Sequence, residues 1–178
     1  VEGLVNFAQQ LALVLAVLLP SCLYCSAIGL FLFAAWGLWQ QAQPHNPFRG
    51  RPWIPWLSLI LSGACASFPA ILTKVNISGG SSVSASVVAG LTSYSTPDTT
   101  DILGATPGDT VLNIVQAFEG FFQVFGAMTC FFAMMAWRAA VSGRSNRQWG
   151  GCGVQFVFGA MLMNIYTVSQ WLVGIFTT

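Results

Sequence analysis

Residues Leu4 to Trp39 read LVNFAQQLALVLAVLLPSCLYCSAIGLFLFAAWGLW, an apolar run with its amide side chains confined to Asn6, Gln9 and Gln10. As one helix it is about 54 Å long, against about 30 Å of hydrocarbon in a bilayer. It is too long for a single simple span. Pro20 followed by Ser21 is the natural place for a kink or break. That predicts a spanning piece over Cys22 to Trp39 and a second piece over Val5 to Leu19, interfacial or packed on protein.

Outward from this run, Gln40 to Pro52 (QQAQPHNPFRGRP) holds three prolines, Arg49, Arg51 and His45, the only histidine, and reads as a loop. A second span is expected from Trp53 to Thr73, opening with Trp53 and Trp56 around Pro55, which suits a membrane interface. Val75 to Thr110 turns to Gly, Ser, Thr and Asp and reads as a solvated loop, in which Val83, Val87, Val88 and Leu91 form at most one short amphipathic element. Thr110 to Trp137 and Trp149 to Phe176 are the third and fourth expected spans, joined by a loop carrying Arg138, Arg144 and Arg147.

The whole chain is 55% hydrophobic and only 6% charged, where a soluble domain carries about 25% charged residues. Its mean hydropathy is +0.70. The expected fold is therefore an all-α integral membrane domain over 1–178 with about four spans and a kinked N-terminal helix. It divides into a first helical hairpin at 1–74, a polar periplasmic loop at 75–110 and a second hairpin at 111–178. The chain starts at Val1 rather than Met, and removal of a signal segment is the expected reason.

Five of the six basic residues lie in the two short loops, whereas Asp98, Asp101 and Asp109 gather in the long one. The positive-inside rule places both short loops in the cytoplasm and the long loop and both chain ends opposite. A faint repeat runs through the chain: Trp53 followed by Gly63-Ala64 matches Trp149 followed by Gly159-Ala160 at the same spacing, and Phe33-Ala34-Ala35-Trp36 resembles Met134-Met135-Ala136-Trp137. Two hairpins of one design, or chance recurrence in an apolar composition, account for it equally.

Glu119 is the ionisable residue set well inside an expected span, where a carboxylate costs at least about 2.5 kcal/mol. Asn113, Gln116, Gly120, Gln123 and Ala127 share its face, a polar and small stripe expected to pack on another helix. The competing role, proton or ion ligand, needs a second polar cluster at the same depth, for which Asn164, Gln155 and Gln170 are the candidates. Gly63, Ala64, Gly159 and Ala160 are expected to let helices approach closely. Arg49, Arg51, Arg138, Arg144 and Arg147 either fix topology alone or face phospholipid headgroups or a lumen that passes a polyanion.

Cys22, Cys25, Cys65, Cys130 and Cys152 read as small buried hydrophobes, with Cys22 and Cys25 a redox or disulfide pair if they face the periplasm. No catalytic constellation and no metal-ligand spacing stands out, and no cofactor is expected beyond bound phospholipid.

The segment GGCGVQFVFGAMLMNIYTVSQWL, Gly150 to Leu172, resembles the C-terminal part of small membrane proteins of type IVB secretion and conjugation systems, the DotE and IcmC group with TraQ and TraR as plasmid relatives. The matching core is Gly159-Ala160-Met161-Leu162-Met163-Asn164-Ile165, and Phe125 to Gln148 is similar too. The resemblance covers roughly the second half of the chain. It implies a non-enzymatic subunit of a bacterial export machine, partnered by membrane lipid, by copies of itself and by other subunits, past which single-stranded DNA or protein moves. Small apolar helical hairpins with basic loops are also similar to conjugative pilins. This extends the expectation to an inner-membrane protein that polymerises into a pilus holding phospholipid. A fixed inner-membrane scaffold, or a small transporter using Glu119 and Asn164, are the competing expectations.

Overall fold

A computed structural model describes residues 2–80, 106–146 and 148–177. Among them the chain forms seven helices and no strand: α1 (Glu2–Gln41), α2 (Trp53–Ala66), α3 (Phe68–Ser78), α4 (Pro107–Ala117), α5 (Glu119–Val141), α6 (Trp149–Met163) and α7 (Ile165–Thr177). By length and composition α1 and α5 can cross a membrane, and the pairs α2–α3 and α6–α7 bring the number to four if each bent pair is one span. The Val83 to Leu91 element, Asp98 and Asp101 and the Arg147 side chain lie outside the described residues.

The expected break at Pro20 is absent, and α1 runs through it as one helix of 40 residues. Leu19 and Leu23 are both buried on the stripe that continues through Ala27, Leu30 and Ala34. In an apolar setting a break would leave further peptide groups unpaired, which favours a continuous helix through the proline.

The other three expected spans are interrupted instead. The second bends by 73° between α2 and α3, because Pro69 lacks the N–H that would bond Cys65 and its ring crowds that carbonyl. The fourth bends by 83° between α6 and α7, at Asn164. The third is divided at Phe118, whose φ of −103° and ψ of 3° leave the helical region. Its N–H is shared between Ile114 O at 3.3 Å and Val115 O at 3.2 Å.

The loop boundaries also shift. Helix α5 continues past Trp137 to Val141, so Arg138 lies on a helix rather than in the loop. Helix α3 extends to Ser78 and α4 begins at Pro107, both inside the stretch read as loop. The start of α4 has a full capping box: Thr106 Oγ accepts from Asp109 N at 3.2 Å while Thr106 N donates to Asp109 Oδ2 at 3.1 Å.

Two antiparallel pairs form the body, α1 with α2 and α5 with α6, with α1 and α5 in contact between them. Ser62 Oγ donates to Ala27 O at 2.8 Å across the first pair. At Gly37 a Cβ would stand 2.7 Å from Pro55 Cγ, so only glycine permits that approach. In the second pair, Gly126 and Gly159 face each other: a Cβ on Gly126 would meet Gly159 O at 2.6 Å, and one on Gly159 would meet Gly126 O at 2.8 Å. Phe68 and Phe131 join the halves through an edge-on ring contact at 6.4 Å. Each half thus has the same order: a long helix, a basic loop, a helix opening on Trp, a sharp bend and a short helix.

Candidate functional site

The two basic loops meet at one end of the helix pairs. Phe48 folds the first loop back onto α1, its ring edge-on to Phe33 at 6.1 Å and to Trp36 at 6.0 Å. Arg51 then reaches the second loop, where Nη1 donates to Ser142 O at 2.7 Å. Gly143 makes that approach feasible: its φ of +74° favours glycine, and a Cβ there would run into the Arg51 guanidinium.

Arg138 is half-buried beneath this junction. Its guanidinium carbon lies 4.9 Å from the Phe33 ring centroid, and its Nε and Nη2 each stand 3.4 Å from Ser58 Oγ. Arg144 is near enough for the two charges to repel, while Arg49 is exposed in the first loop. The carboxylates of Asp109 and Glu119 are bonded elsewhere, to Thr106 and to Gln123. Glu119 stands about 28 Å along α5 from Arg138. The basic end therefore gathers Arg49, Arg51, Arg138 and Arg144 without either carboxylate, an arrangement suited to an anion with several oxygens.

A second polar group lies in the interior, where α3 ends and α6 bends. Asn164 Nδ2 donates to Ala160 O at 2.9 Å and to Asn76 Oδ1 at 3.0 Å. Asn76 is 0% and Asn164 8% exposed. Asn164 Oδ1 is buried with no hydrogen-bond partner. On α5, Gln123 Nε2 donates to Glu119 Oε1 at 2.9 Å. Glu119 proves to be the first residue of α5 rather than mid-span.

The Glu119 stripe is split by the break at Phe118. Gln116 stays on α4 and is exposed, whereas Gly120, Gln123 and Ala127 are buried on α5. Among the small residues, Gly159 is buried against Gly126 and Ala160 packs at the edge of the core. Gly63 faces open space, and Ala64 is half-buried. All five cysteines are free, with Cys25 exposed and Cys22 half-buried on α1. Of the other polar candidates, Gln155 is half-buried and Gln170 exposed.

The sequence reading assigns no site role to Ser58, Ser62 or Asn76, and names Phe33 only within the Phe33-Ala34-Ala35-Trp36 repeat. Ser58 and Ser62 are one turn apart in an apolar helix, a legible signal for a face turned to protein. Asn76 was hidden by its assignment to a loop, and the Phe33 contact by the long sequence separation from Arg138. No protein-family model, curated protein or solved structure matches the chain.

Proposed function

We propose that this chain is a non-enzymatic, membrane-embedded subunit of a bacterial type IVB conjugation or secretion machine, and that copies of it polymerise into a pilus with bound phospholipid. The observation that carries the membrane part is the outer surface. Large apolar side chains are exposed on successive helices, among them Val17 at 73%, Ile60 at 69%, Trp149 at 74% and Phe176 at 81%. A soluble monomer rarely exposes apolar surface on this scale, and lipid or neighbouring copies are the covers that fit it. The gathered arginines support a single basic face toward headgroups or a lumen. The open glycines of α6, Gly150, Gly151 and Gly153, have nothing within 4 Å of a Cβ and leave room for a second copy to approach. The export-machine assignment rests on the resemblance alone, carried by Gly150 to Leu172 and by Phe125 to Gln148.

The test is electron microscopy of filaments sheared from producing cells, with mass spectrometry for this chain and for phospholipid. Filaments containing both are expected. Recovery of the chain only from detergent-extracted inner membrane would overturn the pilus and favour a fixed scaffold.

A further inference from the structure

The geometry points to a monovalent-cation site where α3 ends and α6 bends into α7, with Asn164 Oδ1 and Asn76 Oδ1 as its side-chain ligands. This inference does not depend on the assembly proposed above.

The orientation of the Asn164 amide is fixed. Nδ2 faces two acceptors, Ala160 O at 2.9 Å and Asn76 Oδ1 at 3.0 Å. A flipped amide would place oxygen against a backbone carbonyl that can only accept. The other end of the amide is therefore an oxygen, and that oxygen is buried without a donor. Side chains that are nine-tenths buried rarely leave such a group unmatched, and in an apolar surrounding the penalty is larger.

Three helix ends meet here, the C-termini of α3 and α6 and the N-terminus of α7, so the negative ends outnumber the positive one. Two helix C-termini converge here: Asn164 closes α6, and Gly79 closes α3 with its Cβ direction 3.7 Å from Asn164 Nδ2. C-terminal carbonyls carry the negative end of the helix dipole and attract cations. Broken helices whose terminal carbonyls and amide side chains converge within a membrane protein suit a monovalent cation. Lys74, the cation nearest in sequence to Asn76, is exposed and lies two residues away on α3, about 200° round the helix.

Gly126 packs so closely on α6 that a Cβ would be 2.8 Å from Met163 N, and Cys130 Sγ reaches Phe156 O at 3.4 Å. In this antiparallel register Gln123, three residues before Gly126, falls at the level of the bend. Gln123 in turn holds Glu119. The ligand set itself is neutral oxygen. Among the described residues no three His, Cys, Asp or Glu side chains cluster. Divalent ions favour carboxylate ligands, so sodium or potassium fits this set better than calcium or magnesium.

The test is thermal unfolding of the purified full-length chain in detergent, at constant ionic strength, in sodium chloride, potassium chloride or N-methylglucamine chloride. Sodium or potassium is expected to raise the melting temperature by about 3 °C or more over N-methylglucamine. Asn164→Leu is expected to erase that difference while still unfolding cooperatively. Identical melting of the wild-type chain in all three salts would overturn the site, whether or not the variant folds. An ion-specific rise that persists in Asn164→Leu would overturn its placement.

Discussion

At the scale of single residues, glycine matters where a Cβ has no room and not where it would face open space. Gly159 and Gly126 leave no room for a side chain, whereas Gly63 faces open space. Gly159→Leu is therefore expected to destabilise the purified chain by about 3 kcal/mol or more, through overpacking against backbone. Gly63→Leu is expected to stay within about 0.5 kcal/mol. Denaturation in detergent compares them directly, and equal effects would contradict the α5–α6 contact. The arginines divide in the same way. Arg138 touches Phe33 and Ser58, so Arg138→Ala is expected to cost about 1–2 kcal/mol. Arg49, exposed in its loop, is expected to tolerate Arg49→Ala with no measurable change in melting. The apolar spacing of the sequence marked Gly159 as a packing residue. It could not distinguish Gly63, because burial depends on which face of α2 meets α1.

At the scale of elements, the sequence showed where apolar segments lie but not where they bend. Pro20 and Pro69 are the same residue type with opposite outcomes: α1 passes through the first, and α2 ends before the second. Neighbouring burial does not separate them, since Leu19 and Leu23 flank Pro20 and Cys65, Phe68 and Leu72 flank Pro69 in the same core. The bend at Asn164 has no proline, and its local signal is an asparagine amide bonded to the preceding turn. Pro69→Ala restores the missing donor toward Cys65 O. It is expected to open the α2–α3 bend beyond its 73° geometry toward a straight helix. Spin labels at Trp56 and Ile77, both exposed, should then move apart. An unchanged distance would mean that burial of Phe68, Leu72 and Asn76 imposes the bend. The beginning of α4 was legible in Thr106, Pro107 and Asp109, a capping-box pattern masked by the polar composition around it.

At the scale of the whole molecule, the all-helical class follows from long apolar segments and very few charges, and the structure has that class among its described residues. Two helices are long and apolar enough to cross a membrane, and the number reaches four if each bent pair is one span. The meeting of the basic loops was not legible as a contact, because Arg51 and Ser142 lie far apart in sequence. Their shared side was anticipated from charge alone. Helix α1, at about 60 Å, is twice the hydrocarbon thickness. A bilayer core therefore cannot cover all of the apolar side chains that α1 exposes, which run from Leu4 to Trp39.

The central claim is a membrane-embedded chain with both basic loops on one side. Its most direct test is labelling of His45→Cys, Asn146→Cys and Ser82→Cys, each in a chain lacking the native cysteines, with a membrane-impermeant maleimide on intact spheroplasts. The account predicts that position 82 labels, whereas 45 and 146 label only after the membrane is permeabilised. Labelling of 45 and 146 on opposite sides, or of all three in a soluble fraction, would contradict it.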